Sequence, residues 1–314
     1  MLKIRIGTRG SELALTQTRW VAERLRGAHP GIELEEVVLQ TRGDLDRTTP
    51  LAEQGTVGLF TRELERALLA KEIDLAVHSL KDLPTAQPEG LAIAAVPARQ
   101  VPWDAWISSE APDLVDLPGG SKIATGSPRR RAQILARFPQ LEVIGIRGNI
   151  DTRLKRYQEE GAMGLILAAA GLLRTGHEAA IRATFGPTEM TPAPAQGALA
   201  LEVRSDDRRL REAAAAIEDP RARAAVTAER SLLAALEGGC QLPLGAFARV
   251  RGEHLVLLGM LADLDGKRLL RLSVEGPVAE PQGLGEDLAN KLRSAGGGEI
   301  LATLAAAEAK GAEE

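Results

Sequence analysis

The first hundred residues alternate between strand-like and helix-like spacing of hydrophobic positions. Apolar runs or alternation typical of strands occupy residues 2–7, 32–40, 73–79 and 91–97, and helical spacing occupies residues 12–27 and 59–70. Strands separated by helices require crossover connections, so this pattern predicts a largely parallel sheet.

Two proline-rich joints follow. Residues 97–106 contain two prolines and little periodicity, which predicts a linker. The strand and helix alternation restarts at residues 121–172, where "GLILAAAGL" fits either a strand or a buried helix. A second proline cluster at 191–197 precedes one more predicted strand, 198–204. A self-contained α/β segment between two such joints indicates an inserted domain, after which the chain returns to the first domain.

The last third of the chain has a different pattern. Residues 219–239 predict a long helix that ends at two glycines. Three apolar stretches separated by "RGE" and "DGK" then predict an antiparallel meander. The predicted fold class is α/β with three domains, the third being α+β. Domain 1 comprises residues 1–98 and 197–216, domain 2 residues 99–196, and domain 3 residues 217–314.

Composition narrows the class of protein. The chain has 314 residues, of which 44% are hydrophobic and 26% charged, as in globular proteins. A net charge of −4 and only 3% aromatic residues argue against nucleic-acid binding. A single cysteine excludes an internal disulfide and fits a reducing compartment. The N-terminus lacks the apolar region of a signal peptide and no apolar run is long enough to span a membrane, so a cytoplasmic protein is expected.

Familiar catalytic signatures are missing from the sequence. The four histidines lack the paired spacing of zinc ligands, so no metal site is expected. The chain contains no P-loop, no GxGxxG and no GxSxG motif.

Charged residues instead follow the predicted strands. The positions that come after four of the strands include Arg9, Lys81 with Asp82, Ser127 with Arg129 to Arg131, and Arg147 with Arg153. In parallel α/β sheets the ligand crevice lies beyond the carboxyl ends of the strands, so these side chains are expected to converge on one cleft. Arginine binds carboxylates or phosphates through a bidentate fork. The pattern therefore predicts a site for a multiply charged anion.

Three residues allow two interpretations each. Asp82 is either an ion-pair partner of Lys81 or a neighbouring arginine, or a retained negative charge that stabilises a cation or transfers protons. Phe60 fits a position over the cleft mouth or in the core. Cys240, the single cysteine, fits a buried hydrophobe or an exposed thiol.

Several motifs, taken in order, resemble the porphobilinogen deaminase family, also called hydroxymethylbilane synthase. The motifs are "GTRGSELAL" (7–15), "TRGD" (41–44), "GLFTRELE" (58–65), "DLAVHSLKDLP" (74–84), "RGNIDTRL" (147–154), "AQGA" (195–198), "TAERSLL" (227–233) and "EGGCQLPLG" (237–245). Each is weak alone, but together they cover nearly the full length and are highly specific.

The resemblance implies three domains, of which the first two are hinged and similar to periplasmic binding proteins. It implies a transferase that joins four porphobilinogen molecules head to tail, releasing ammonia each time, to form the linear tetrapyrrole hydroxymethylbilane. It also implies a dipyrromethane cofactor, held by Cys240 through a thioether, that primes the chain. The implied protein is a cytoplasmic monomer of haem and porphyrin biosynthesis.

The resemblance also assigns roles to individual residues. Asp82 matches the catalytic aspartate, and Arg9, Arg147 and Arg153 match partners of the substrate carboxylates. The positions that match holders of the cofactor's acetate and propionate groups are Lys81, Ser127, Arg129, Arg130 and Arg153. Gln17, Ser79 and Thr125 fall at secondary contacts, Gln17 on the substrate side and the other two on the cofactor side.

The chain departs from the family pattern in places. The segment 51–60 has Glu53, Thr56 and Val57 where relatives often have lysines and a glycine, which puts an anion contact by that loop in doubt. Two alternative functions remain open from the sequence. One is a solute-binding protein for a polycarboxylate, which leaves the third domain unexplained. The other is a phosphosugar or nucleotide enzyme, which the missing phosphate motifs disfavour.

Overall fold

The computed structural model describes residues 3–39, 61–237 and 242–311. They form two compact units. Unit 1 consists of the described residues within Met1–Val101, Leu173–Gly176 and Gln196–Arg223. Unit 2 consists of those within Pro102–Leu172, His177–Ala195 and Ala224–Glu314.

Unit 1 is built on a five-stranded sheet. Its elements are β1 (Lys3–Arg9), α1 (Glu12–Ala28), β2 (Glu33–Leu39), α2 (Arg62–Leu69), β3 (Leu75–Ser79), β4 (Leu91–Ala95), β10 (Leu199–Arg204) and α6 (Arg208–Ala215). The strand order is β2-β1-β3-β10-β4. β1 runs parallel to β2 and β3, whereas β10 runs antiparallel to β3 and β4. The sheet is therefore parallel only in part, because the strand of the returning chain enters it in the opposite direction.

Unit 2 contains a second five-stranded sheet of similar design. Its elements are β5 (Asp104–Ile107), β6 (Lys122–Ala124), α3 (Pro128–Arg137), β7 (Glu142–Ile144), α4 (Ile150–Glu159), β8 (Gly164–Ala168) and β9 (Ala183–Thr184). The order is β7-β6-β8-β5-β9. β6 is parallel to β7 and β8, and β5 is antiparallel to β8 and β9.

The structure corrects one sequence prediction in this region and resolves one that was left open. Residues 97–106 are not all linker, because β5 begins at Asp104 and its four residues are buried. The stretch with two interpretations contains both elements: β8 continues directly into α5 (Ala169–Arg174).

The remainder of unit 2 confirms the predicted antiparallel meander. α7 (Pro220–Ala235) begins in unit 1 and continues into unit 2, and it is followed by β11 (Leu244–Arg251), β12 (His254–Ala262), β13 (Leu269–Pro277), α8 (Pro281–Leu292) and α9 (Gly298–Gly311). β12 pairs with both neighbours, and leucines and alanines of the three strands pack with Leu232 and Leu288 in one buried core. This sheet belongs to the same compact unit as the second sheet, so the boundary between domains 2 and 3 stays a prediction.

Local sequence explains where the helices near the strand ends begin. Ser11, Ser127 and Asn149 are the N-caps of α1, α3 and α4, and each side-chain oxygen accepts a hydrogen bond from a backbone N–H in the first turn. Pro128 occupies the first turn of α3, where its missing N–H leaves no hydrogen bond unmade. These caps fix the loops in which most of the predicted site residues lie.

Candidate active site

In unit 1 the predicted residues lie at the carboxyl edge of two neighbouring parallel strands. Arg9 ends β1 and Ser79 ends β3, and the two strands pair directly. The side chain of Gln17, on α1, is buried and its Nε2 donates to Ser79 Oγ at 2.9 Å. This contact fixes the helix against the end of β3.

Lys81 and Asp82 follow in a short 3-10 turn, Leu80–Asp82. Lys81 is half-buried, and its Nζ lies 3.5 Å from Oε1 of Gln196, a buried residue of the "AQGA" motif. Asp82 is exposed. Within the described part of the chain its carboxylate makes no hydrogen bond or ion pair, so it is not paired with Lys81. The described residues therefore do not support the first interpretation of Asp82, an ion pair with Lys81 or a neighbouring arginine.

In unit 2 the predicted residues again follow parallel strands. Thr125 comes directly after β6 and is buried, and Oγ1 of Thr125 accepts from the N–H of Ser127 at 3.3 Å. Arg147 follows β7 and is exposed. Arg153, on α4, is half-buried and its Nε donates to the carbonyl of Gly148 at 2.7 Å. Since β6 and β7 are parallel neighbours, their loops leave the same edge of the sheet.

Arg129 and Arg130 lie deeper than the sequence suggested. Their exposed fractions are 4% and 6%, and both guanidinium groups bind the fully buried carboxylate of Asp104. Nη1 of Arg129 lies 2.7 Å from Oδ2, and Nη2 and Nε of Arg130 lie 2.7 and 3.0 Å from Oδ1. One carboxylate thus neutralises one of two guanidinium charges, and the cluster keeps a net positive charge.

Burial and the attraction between opposite charges determine the pKa values in this cluster. Burial alone raises the pKa of Asp104, but the charges of Arg129 and Arg130 outweigh it and hold that pKa well below its ordinary value. Burial lowers the pKa of Arg129 against the opposing attraction of Asp104. Asp104 was not singled out from the sequence, because a lone aspartate in a proline-rich segment gives no signal of its burial.

The structure shows a further arginine that the sequence did not indicate. Arg174, at the end of α5, is half-buried, and burial lowers its pKa to about 10. Its Nη2 donates to the carbonyl of Gly197 at 2.8 Å, so it belongs with the Gln196 segment of unit 1. The helical stretch that holds it has no polar motif, which is why the sequence did not indicate it.

Some predictions lie outside the described residues. These are the predictions for Cys240, Phe60 and the loop 51–60. Among the residues that the structure does describe, no group of three or more His, Cys, Asp or Glu could hold a metal ion. No helix among them is both long and apolar enough to cross a membrane.

Comparison with known proteins places the chain in a family. Residues 4–212 match the family described as "Porphobilinogen deaminase, dipyromethane cofactor binding domain", and residues 223–294 match "Porphobilinogen deaminase, C-terminal domain". These matches define a cofactor-bearing enzyme of two or more domains. The chain belongs to the porphobilinogen deaminase family.

Individual relatives are similar over nearly their whole length. The porphobilinogen deaminase of Syntrophus aciditrophicus is 48% identical over 95% of this chain and 97% of its own. That of Moorella thermoacetica is 46% identical over 99% of both chains. Among solved structures, a periplasmic substrate-binding protein of an ABC transporter from Coxiella burnetii is 15% identical, with a TM-score of 0.43 over 69% of this chain and 92% of its own.

The side chains of unit 2 match the chemistry of the family's cofactor. A dipyrromethane presents acetate and propionate carboxylates, which require cationic or hydroxyl donors. Unit 2 offers the exposed Arg147, the half-buried Arg153, the Ser127 hydroxyl and the positively charged cluster around Asp104. These residues fit the group by charge and by hydrogen-bonding chemistry.

Proposed function

We propose that this chain is a hydroxymethylbilane synthase, which joins four porphobilinogen molecules head to tail and releases ammonia at each addition. The observation that carries the proposal is the family match over residues 4–212 and 223–294, with a carboxylate, Asp82, held exposed at a strand end. A dipyrromethane cofactor joined to the thiol of Cys240 would supply the primer to which substrate units are added.

The arginines would bind and orient the reactants. Each porphobilinogen brings two carboxylates, so the growing chain is a polyanion and needs several cationic partners. We assign Arg9, Arg147 and Arg153 to the substrate carboxylates. The groups assigned to the cofactor carboxylates are Lys81, Ser127, Arg129, Arg130 and Arg153, with Ser79 and Thr125 as supporting contacts. Gln17 would act on the substrate side by holding the end of β3 through Ser79.

Asp82 would supply the catalytic charge. When ammonia leaves porphobilinogen, positive charge develops on the substrate, and a fixed carboxylate nearby lowers the energy of that state by on the order of a few kcal/mol. The 3-10 turn that holds Asp82 follows directly from β3, so its backbone is anchored to the sheet. The carboxylate makes no hydrogen bond or ion pair with the described residues, so none of those residues has to be displaced before it acts. The same group can accept or return a proton.

The proposal is tested with purified protein and porphobilinogen. We expect ammonia release and a linear tetrapyrrole, and an intact mass that exceeds the sequence mass by one dipyrromethane. Cys240→Ser should remove the extra mass. An unmodified protein that binds carboxylates without consuming porphobilinogen would instead support the solute-binding alternative.

Asp82→Asn should reduce kcat at least ~100-fold, because about 3 kcal/mol of charge stabilisation is lost. The fold should be unaffected, since the side chain is exposed. Asp206→Asn, another exposed aspartate of unit 1, is the matched control and should keep full activity. Near-normal turnover in Asp82→Asn would remove Asp82 from the mechanism.

Three further properties are proposed, the location and the oligomeric state from the family resemblance and the absence of nucleic-acid partners from the charge and aromatic content of the chain. The protein would act as a cytoplasmic monomer without nucleic-acid partners. Size-exclusion chromatography with light scattering should give the mass of one chain, and a dimer mass would contradict this.

A further inference from the structure

A buried polar network in unit 2 adjoins Arg129 and is centred on a residue to which the proposed chemistry gives no role. At its centre is Gln133, which lies on α3 and is 3% exposed. Its Nε2 donates to the carbonyls of Thr191 (3.1 Å) and Arg129 (3.3 Å). Its Oε1 accepts from the N–H of Thr191 (2.7 Å) and from Nη2 of Arg271 (3.3 Å). A side-chain amide has two donors and two acceptor sites, so Gln133 uses its full capacity.

The network connects the arginine cluster to the third sheet. Nη1 of Arg129, which binds Asp104, also donates to the carbonyl of Thr191 at 2.7 Å. From β13, Nε of Arg271 donates to Oγ1 of Thr191 at 3.3 Å. Thr191 is fully buried and is hydrogen-bonded both to α3, through Gln133 and Arg129, and to β13, through Arg271.

β11, the strand that packs against Thr191, is the first strand after Cys240 in the sequence. β11 begins at Leu244, four residues after Cys240. The N–H of Ala246 donates to the carbonyl of Pro192 at 2.8 Å. Gly245 lies so close that an added Cβ would be 2.8 Å from both Cβ and the carbonyl oxygen of Thr191. The backbone of β11 thus packs directly on the segment that Gln133 holds.

We propose that Gln133 is a positioning residue: through Thr191 it fixes α3, with Arg129 and Arg130, against β11. The arginines assigned to the cofactor carboxylates and the strand that begins four residues after Cys240 then move as one body. On the proposed function these arginines and Cys240 would hold the cofactor, and they could place it accurately only if their separation stays fixed. A displacement of about 1 Å is enough to reduce a rate ~100-fold.

This inference rests on the proposed function for its catalytic consequence, but the coupling can be measured without turnover. Gln133→Met keeps the size of the side chain and removes all four hydrogen bonds. We expect amide hydrogen exchange to become at least tenfold faster in peptides covering residues 189–194 and 244–248. Leu141→Ala is the control, because it opens the core of the same α/β sheet without touching the network. It should leave exchange at 244–248 within twofold of wild type.

Activity of the cofactor-loaded protein provides the second measurement. Gln133→Met should lower kcat at least tenfold with the KM for porphobilinogen within twofold, whereas Leu141→Ala should retain kcat. Arg271→Met, which removes two of the network's bonds, should show the same changes at smaller size if Gln133→Met fails to fold.

The outcomes separate the two proposals. Exchange at 244–248 that stays at the wild-type rate in both network variants overturns the coupling. A tenfold kcat loss in Leu141→Ala equal to that of Gln133→Met reduces Gln133 to a stability role and also overturns the inference. If exchange responds as expected but wild-type protein consumes no porphobilinogen, the coupling stands and the proposed function fails.

Discussion

The cluster of Asp104 with Arg129 and Arg130 gives the strongest stability prediction. Asp104→Asn keeps the shape of the side chain and removes its charge. The amide retains one acceptor oxygen, while its NH₂ group faces guanidinium N–H groups that previously donated to the carboxylate. Three hydrogen bonds of 2.7–3.0 Å from two guanidinium groups are affected, all with buried partners.

The size of the expected stability loss follows from the guanidinium charges that stay buried after the substitution. Removing one partner of a buried ion pair costs about 3–5 kcal/mol, because the other charge is left without compensation. Here two guanidinium groups lose their common partner, so we expect a loss of about 3–5 kcal/mol in the free energy of unfolding of unit 2.

The assay uses the tryptophans of unit 2. Trp106 lies in β5, two residues after Asp104, and is fully buried. In a Trp20→Phe background the two remaining tryptophans, Trp103 and Trp106, both belong to unit 2. Urea denaturation followed by their fluorescence then reports on this unit. Asp113→Asn is the control, since Asn caps a turn as well as Asp and the predicted change is within about 0.5 kcal/mol.

A second variant separates stability from function. Replacing Asp104, Arg129 and Arg130 together by Leu, Met and Met removes every charge of the cluster and should restore most of the stability. The same protein should fail to carry the cofactor, which intact mass would show. An Asp104→Asn variant within about 1 kcal/mol of its parent would refute the reasoning, because the arginines would then not depend on this carboxylate.

Three further predictions concern other parts of the chain. Burial alone raises the pKa of Asp104, but the arginines hold this pKa below its ordinary value of 3.8. The contribution of the Asp104 carboxylate to stability is therefore complete above about pH 4 and is lost as the pH falls further. In acid denaturation, Asp104→Asn should lose less stability below about pH 4 than its parent. Gly197 has φ +87°, and an added Cβ would lie 2.5 Å from the carbonyl oxygen of Gln100. Gly197→Ala should therefore lower the free energy of unfolding by about 2 kcal/mol or more, measured by thermal denaturation. The control Gly27→Ala, in open space on α1, should raise it by about 0.5–1 kcal/mol. The fully buried carboxylate of Glu229 accepts from the N–H groups of Ala195 (2.6 Å) and Ala248 (2.7 Å). Glu229→Gln should lower the free energy of unfolding by about 1–3 kcal/mol in urea denaturation, because one amide donor would face a backbone donor.

Strand ends and helix starts could be predicted from the sequence because their signals are local. Alternation over residues 2–7 and caps such as Ser127 indicate an element without knowledge of its neighbours. The same holds for the carboxyl-edge positions of Arg9 and Arg147, since any parallel pair of strands places its loops on one edge.

Burial and strand direction could not be predicted in this way. The sequence did not show that the guanidinium groups of Arg129 and Arg130 are buried and bind Asp104, which lies 25 and 26 positions earlier. β5 was missed because four residues containing an aspartate resemble a loop until the arginines that neutralise it are known. β10 was predicted as a strand, but its antiparallel direction depends on the path of the returning chain, which hydrophobic spacing does not record.

The position of β10 between β3 and β4 has a consequence for synthesis of the protein. Among the described strands, β4 pairs only with β10, which is made roughly a hundred residues later. At ~5–20 residues per second, a ribosome needs ~5–20 s to cover that distance. All five strands of the second sheet, β5 to β9, are synthesised during this interval. The sheet that begins second is therefore completed first, and β4 emerges long before its partner strand exists, so its backbone stays unpaired until β10 is made.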